Sequence, residues 1–300
     1  MATESDFIAT LPSALRAILD SATAITNPAA DDAQTAAHMI DHTSLNNDST
    51  PMIGSETPDD IRALCQAAMA VPDYHVASLC VYPNHIATAR NALLNTDIRI
   101  TAVNNFPHGT ASAQNAAQQA RDAMTSGADE IDTVIDYRAF LNGDLNTVQE
   151  KLRAVKNACG DTIILKTILK ATVYDRYDDL YAAATLACKI GADFVKTCTG
   201  KPPMDGFGTG SADASTPARG AVVMQAVADY NRAHNTRIGV KISGGVKTTT
   251  DCAQYRYLVD NILGPEFYTP QYFRFGASSL LGNLLPNRAD SPTLATGSDY

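Results

Sequence analysis

Along most of the chain, short Val- and Ile-rich runs alternate with longer stretches in which Ala and Leu recur between polar residues at helical spacing. This is the pattern of repeated βα units around a parallel sheet, whose strands are covered on both faces. Strands are predicted near residues 37–41, 75–82, 98–104, 129–135, 162–169, 193–198, 237–243 and 272–276, each followed by a helical segment. Pro58-Asp59-Asp60 opens one such helix, running to Met69, and Ala111-Ser112 opens another through Ala116, Ala117, Ala120 and Met124. Eight units fit an α/β fold of the closed (β/α)8 TIM-barrel type. An open doubly wound sheet uses the same units, but no G-x-G-x-x-G follows the first strand. Gly208-Thr209-Gly210 falls instead in a Pro/Gly/Ser-rich stretch that reads as a loop. The domain plan is then an N-terminal extension over 1–35 with one weak helix near Ala14 to Leu19, a barrel over 36–285, and a polar, turn-rich, flexible tail over 286–300.

Composition narrows the function classes. The 300 residues, 45% hydrophobic, suffice for one large core, and single barrels commonly run to about 250 residues. A net charge of −9 provides no basic stripe for nucleic acid. No apolar run reaches the roughly 18–20 residues of a membrane span. The first residues lack the basic and apolar regions of a signal peptide, so a cytoplasmic protein is expected. The six cysteines form no C-x-x-C pair and do not cluster with histidine, which suggests neither zinc nor a disulfide framework. His38 and His42 stand four apart, but the strand-like run between them argues against a helical metal face. No metal and no organic cofactor is expected.

Ionisable groups inside the apolar runs change the picture. Cys80, Asp132, Lys166, Lys196 and Lys241 all lie within predicted strands, where buried charge is costly unless paired. Any one of these lysines could snorkel outward from a strand end. Together, and near the C-terminal strand ends where barrels assemble catalysis, they point to a functional cluster. A lysine nucleophile must lose its proton, and both desolvation and a nearby ammonium favour that loss. Lys196 and Lys241 fall on consecutive strands, about 4.8 Å apart, so one can be the nucleophile and the other its perturber. Asp132, two strands earlier, can accept and return protons. Small-residue loops at Thr199-Gly200-Lys201, Ser243-Gly244-Gly245 and Gly276-Ala277-Ser278-Ser279 follow the last three strands. There backbone N–H groups can approach a phosphate.

These residues resemble the deoxyribose-phosphate aldolases over roughly residues 37–285. The resemblance is carried by Phe194-Val195-Lys196-Thr197-Cys198-Thr199-Gly200-Lys201 and Gly239-Val240-Lys241-Ile242-Ser243-Gly244-Gly245-Val246. Further matches, in the same order, are Ile40-Asp41-His42-Thr43, Cys80-Val81-Tyr82-Pro83, Asn105-Phe106-Pro107-His108-Gly109, Gly127-Ala128-Asp129-Glu130-Ile131-Asp132 and Arg274-Phe275-Gly276-Ala277-Ser278-Ser279. The resemblance implies reversible, metal-free cleavage of 2-deoxy-D-ribose 5-phosphate to acetaldehyde and D-glyceraldehyde 3-phosphate. Lys196 would form the imine, Asp132 and Lys241 would relay protons, and Asp41 would support the relay less directly. Gly200, Lys201, Gly244, Gly245, Ser278 and Ser279 would hold the phosphate, Tyr300 would assist proton transfer at C2, and a homodimer would be the assembly. Three departures stand out: a lengthened stretch after Lys201, Ile242-Ser243 where Pro-Ala is common, and a lysine at position 170. Rival readings are a transaldolase-like or other imine-forming barrel enzyme with a different donor, and a non-catalytic sugar-phosphate-binding protein.

Overall fold

The computed structural model describes residues 3–46, 52–70, 75–204 and 213–285. Eight parallel strands close into a barrel in sequence order, with β8 pairing back onto β1. They are β1 (Ile40–Thr43), β2 (Ser78–Val81), β3 (Arg99–Asn104), β4 (Glu130–Val134), β5 (Ile164–Ile168), β6 (Phe194–Lys196), β7 (Gly239–Ser243) and β8 (Phe273–Ala277). Three helices precede the barrel: α1 (Glu4–Ala9), α2 (Ser13–Thr23) and α3 (Asp32–Ala37). The outer layer is α4 (Pro58–Met69), α5 (Ile86–Ala92), α6 (Ala113–Thr125), α7 (Tyr137–Leu141), α8 (Leu145–Cys159), α9 (Tyr177–Ile190), α10 (Pro217–His234), α11 (Thr249–Ile262) and α12 (Leu280–Leu284). None of the described helices is long and apolar enough to cross a membrane.

Local chemistry explains the helix starts. Thr57 with Asp60 and Thr248 with Asp251 form reciprocal capping boxes before α4 and α11, satisfying amides that the first turn leaves without partners. Ser112 and Thr216 cap α6 and α10, with Pro217 at the first turn of α10. The first strand begins later than the apolar pattern predicts, because α3 runs to Ala37 and its end takes residues assigned to that strand.

The extension is more ordered than the one predicted helix. Phe7, Leu11, Leu15, Leu19 and Ala22 are buried in the main core, while Arg219 of α10 lies 4.1 Å over the Phe7 ring and bonds Glu4 at 3.1 Å. A six-residue helix such as α1 is too short to persist alone. Its stability comes from this docking, which periodicity over so few residues does not display.

Candidate active site

Side chains alternate along each strand, so residues two apart share a face. Asp41, Cys80, Asp132, Lys166, Lys196 and Lys241 point into the barrel, all fully buried. The register sets Lys196 opposite Lys241 and Asp132 opposite Lys166. Asp132 is the hub. Its Oδ2 accepts from Lys196 at 2.9 Å and from Lys241 at 2.8 Å, and its Oδ1 accepts from Lys166 at 2.9 Å. Asp41 lies 2.6 Å from Lys241 Nζ and 3.5 Å from Lys166 Nζ, and accepts from Arg274 at 2.6 Å. It therefore touches Lys241, Lys166 and Arg274 directly.

Three members were not assigned to the site from the chain alone. Lys166 stood out as a strand lysine, yet nothing in its own run shows that it meets Asp132. Glu130 accepts from Lys166, from Thr101 Oγ1 at 2.8 Å and from Arg274 at 3.3 Å. Arg274 joins the first and last strands to this floor. The available signal was spacing: Glu130 stands two residues before Asp132 and Arg274 two before Gly276, so each shares a strand face with a residue already singled out.

The charges decide which lysine is distinctive. Inside the barrel, Lys166, Lys196, Lys241 and Arg274 face Asp41, Glu130 and Asp132. Among the described residues, four cations against three carboxylates leave one positive charge in excess, which burial makes costly. Among the described carboxylates, Lys166 meets three, Lys241 two and Lys196 one. Burial lowers the Lys196 pKa, and nearby Lys241 adds to that against the pull of Asp132. Burial disfavours the charged forms of Lys241 and Lys166 as well, but their carboxylates outweigh it and both pKa values rise. Burial pushes Asp132 up, but the three lysines prevail and hold it far below the ordinary carboxylate range. Lys196 is the amine that the network leaves easiest to deprotonate.

Above this floor, one side of the mouth is apolar, built from Leu45, Cys80, Tyr82, Phe106, Val134 and Ile168. The other side carries the small-residue loops. Gly244 and Gly245 have positive φ of 72° and 82°, and a Cβ on Gly245 would sit 2.7 Å from the Ser215 carbonyl oxygen. Gly276 must also lack a side chain, since its Cβ would fall 2.9 Å from Lys241 Cε. Ser243 uses its hydroxyl to bond the Cys198 backbone, accepting from N–H at 3.2 Å and donating to the carbonyl at 2.5 Å. That ties the β6 and β7 ends together.

The loop after β6 differs from the expectation that its backbone faces an anion. Thr199 N–H donates to Asp213 Oδ2 at 2.6 Å, Gly200 N–H to the Asp213 carbonyl at 3.0 Å, and Lys201 N–H to Thr199 Oγ1 at 3.2 Å. All three amides are used internally, because the chain returns at Asp213. By contrast, the N–H groups of Gly245, Ser278 and Ser279 make no hydrogen bond among the described residues. Tyr300 lies outside the described residues.

The six cysteines are buried and free, and the described residues contain no group of three potential metal ligands.

The family profile of the DeoC/LacD family aldolases matches residues 35–257. Among solved structures, a candidate deoxyribose-phosphate aldolase from Coccidioides immitis is 25% identical, with a TM-score of 0.66 over 93% of this chain and 99% of the other. An apo candidate deoxyribose-phosphate aldolase from Toxoplasma gondii ME49 is 24% identical, with a TM-score of 0.72 over 84% and 94% of the two chains. A deoxyribose phosphate aldolase from Aeropyrum pernix, described as a tetramer, is 23% identical, with a TM-score of 0.63 over 91% and 97%.

Proposed function

The chain belongs to the DeoC/LacD family of aldolases, and from that premise we propose that it reversibly cleaves 2-deoxy-D-ribose 5-phosphate through a Schiff base on Lys196. The observation that carries this reading is the excess cation around Asp132, where Lys196 and Lys241 share one carboxylate oxygen at 2.9 and 2.8 Å.

The Lys196 amine adds to the C1 aldehyde of the open-chain sugar, and loss of water gives a protonated imine. Loss of the C3 hydroxyl proton then breaks the C2–C3 bond. Glyceraldehyde 3-phosphate leaves, and the bonding electrons pass into the imine to form an enamine. Protonation at C2 and hydrolysis release acetaldehyde and restore the amine. Covalent catalysis divides one difficult cleavage into easier steps. Asp132 and Lys241, 2.8 Å apart, form the relay that receives and returns these protons, and Asp41 holds Lys241 charged. Tyr300 assists the C2 protonation. The apolar side of the mouth receives the two-carbon unit. Lys201, Gly244, Gly245, Ser278 and Ser279 receive the phosphate, with Gly200 shaping the turn beside them.

Borohydride reduction in the presence of acetaldehyde tests the reading. Mass analysis should locate one ethyl group on Lys196. Label confined to another lysine rejects the assignment, whereas turnover of a different donor in place of acetaldehyde rejects the substrate.

A further inference from the structure

Immediately after β5, Lys170 has φ 60° and ψ 58°, a left-handed conformation that a non-glycine residue holds only where its surroundings over-determine it. The surroundings here are specific. Lys170 is fully buried, and its Nζ donates to Thr199 Oγ1 at 2.9 Å, the Lys201 carbonyl at 2.7 Å and the Pro202 carbonyl at 3.3 Å. Three acceptors match the three protons of an ammonium. Asp213 Oδ2 supplies the opposing charge at 3.7 Å. That carboxylate also accepts from Thr172 Oγ1 at 2.6 Å and Thr199 Oγ1 at 3.0 Å. Burial lowers the Lys170 pKa and Asp213 opposes the shift.

The pair therefore encloses the turn after β6 from both sides. Lys170 holds the turn's carbonyls, and Asp213 holds the amides of Thr199 and Gly200. It also has an electrostatic consequence, because an unpaired Asp213 would place a carboxylate beside a site built for an anion.

We propose that Lys170 and Asp213 are positioning residues for phosphate recognition. Their ion pair locks the turn at Thr199–Pro202 so that it contributes the Lys201 side chain rather than its backbone amides, and it neutralises the carboxylate that would repel the ligand. Amide donation falls to Gly245, Ser278 and Ser279. This rests on the phosphate assignment of the proposed function and adds to it the residues that shape the site.

Inorganic phosphate binding by the full chain, read by calorimetry, tests the proposal without requiring turnover. Lys170→Met should weaken phosphate binding by about 10- to 100-fold, the scale of repulsion between the phosphate and a nearby unpaired carboxylate. Lys170→Arg should recover most of the loss. Lys170→Met combined with Asp213→Asn should bind at least about 10-fold better than Lys170→Met alone, because coupled charges are non-additive. Lys170→Gly relaxes the backbone and removes the ammonium, so it should show the same weakening even if the Met variant fails to fold. In steady-state assays the loss should appear in KM for deoxyribose 5-phosphate and much less in kcat or with unphosphorylated deoxyribose.

Unchanged phosphate affinity in the folded Met or Gly variant overturns the proposal, as do equal losses on both sugars or no phosphate binding by the unmutated chain. If phosphate binding depends on Lys170 but deoxyribose 5-phosphate is not cleaved, the positioning role stands and the substrate assignment falls.

Discussion

Lys196 and Lys170 lie at the C-terminal ends of neighbouring strands, both fully buried and both with pKa values lowered first by burial. Their surroundings differ in kind. Lys170 is held by a hydroxyl and two backbone carbonyls and opposed by Asp213, so its protons have fixed places. Lys196 shares a carboxylate oxygen with Lys241 in a cluster whose cations outnumber its carboxylates. The comparison teaches that desolvation alone does not separate the proposed nucleophile from the proposed positioning cation. What distinguishes them is whether neighbouring groups satisfy the ammonium or compete with it.

The largest effect should come from removing the amine itself. Lys196→Met should abolish borohydride trapping and lower kcat/KM by at least about 10⁴-fold, on the scale of lost catalytic nucleophiles, while Lys170→Met should still trap acetaldehyde. Trapping lost equally in both variants would erase the distinction between the two lysines.

Removing the competitor tests its cause. In Lys241→Leu, one fewer nearby cation makes protonated Lys196 less unfavourable, and Asp132 is left to pull its pKa up. The rising limb of kcat/KM should move to higher pH. Activity at pH 7 should fall about 10³-fold, since each unit of pKa corresponds to about 1.4 kcal/mol and the proton relay is lost as well. An unmoved limb measured across pH 6 to 10 would contradict the charge argument.

The phosphate side sharpens the comparison in turn. Ser279→Asp should raise KM for deoxyribose 5-phosphate by about 10²-fold through charge repulsion, with a much smaller change for deoxyribose. Equal changes would remove this loop from phosphate binding. The smallest effect concerns a proton transfer after the imine has formed. Tyr300→Phe should leave trapping at Lys196 intact and slow exchange of the acetaldehyde methyl protons with deuterated water by up to about 10²-fold. Exchange at the unmutated rate, followed by NMR, would exclude the phenol from that step.

The barrel is legible in the sequence because its signals are local. Short Val- and Ile-rich runs mark strands, and Pro58-Asp59-Asp60 or Ala111-Ser112 marks a helix start. The pairing of Lys196 with Lys241 was also legible, since both lie on inward positions of consecutive parallel strands. Lys166 was visible as a charge but not as a partner. Its three carboxylates come from β1 and β4, and only barrel closure makes the first of these accessible. In the extension the predicted helix near Ala14 to Leu19 is present as α2, whereas α1 escaped for a related reason, being short and held by Arg219, more than two hundred residues away.

By itself, then, the sequence determined the order of the βα units, the starts of their helices and the presence of ionisable groups at Cys80, Asp132, Lys166, Lys196 and Lys241 inside apolar strands, because these depend on residues within a few positions of one another. Tertiary structure decided how those charges are apportioned. Closing β8 onto β1 brings Arg274 to Asp41 across 233 residues, and the returning chain brings Asp213 to the turn after β6. Both depend on distances that local pattern does not contain, and on buried electrostatics in which one ångström changes which group keeps its proton.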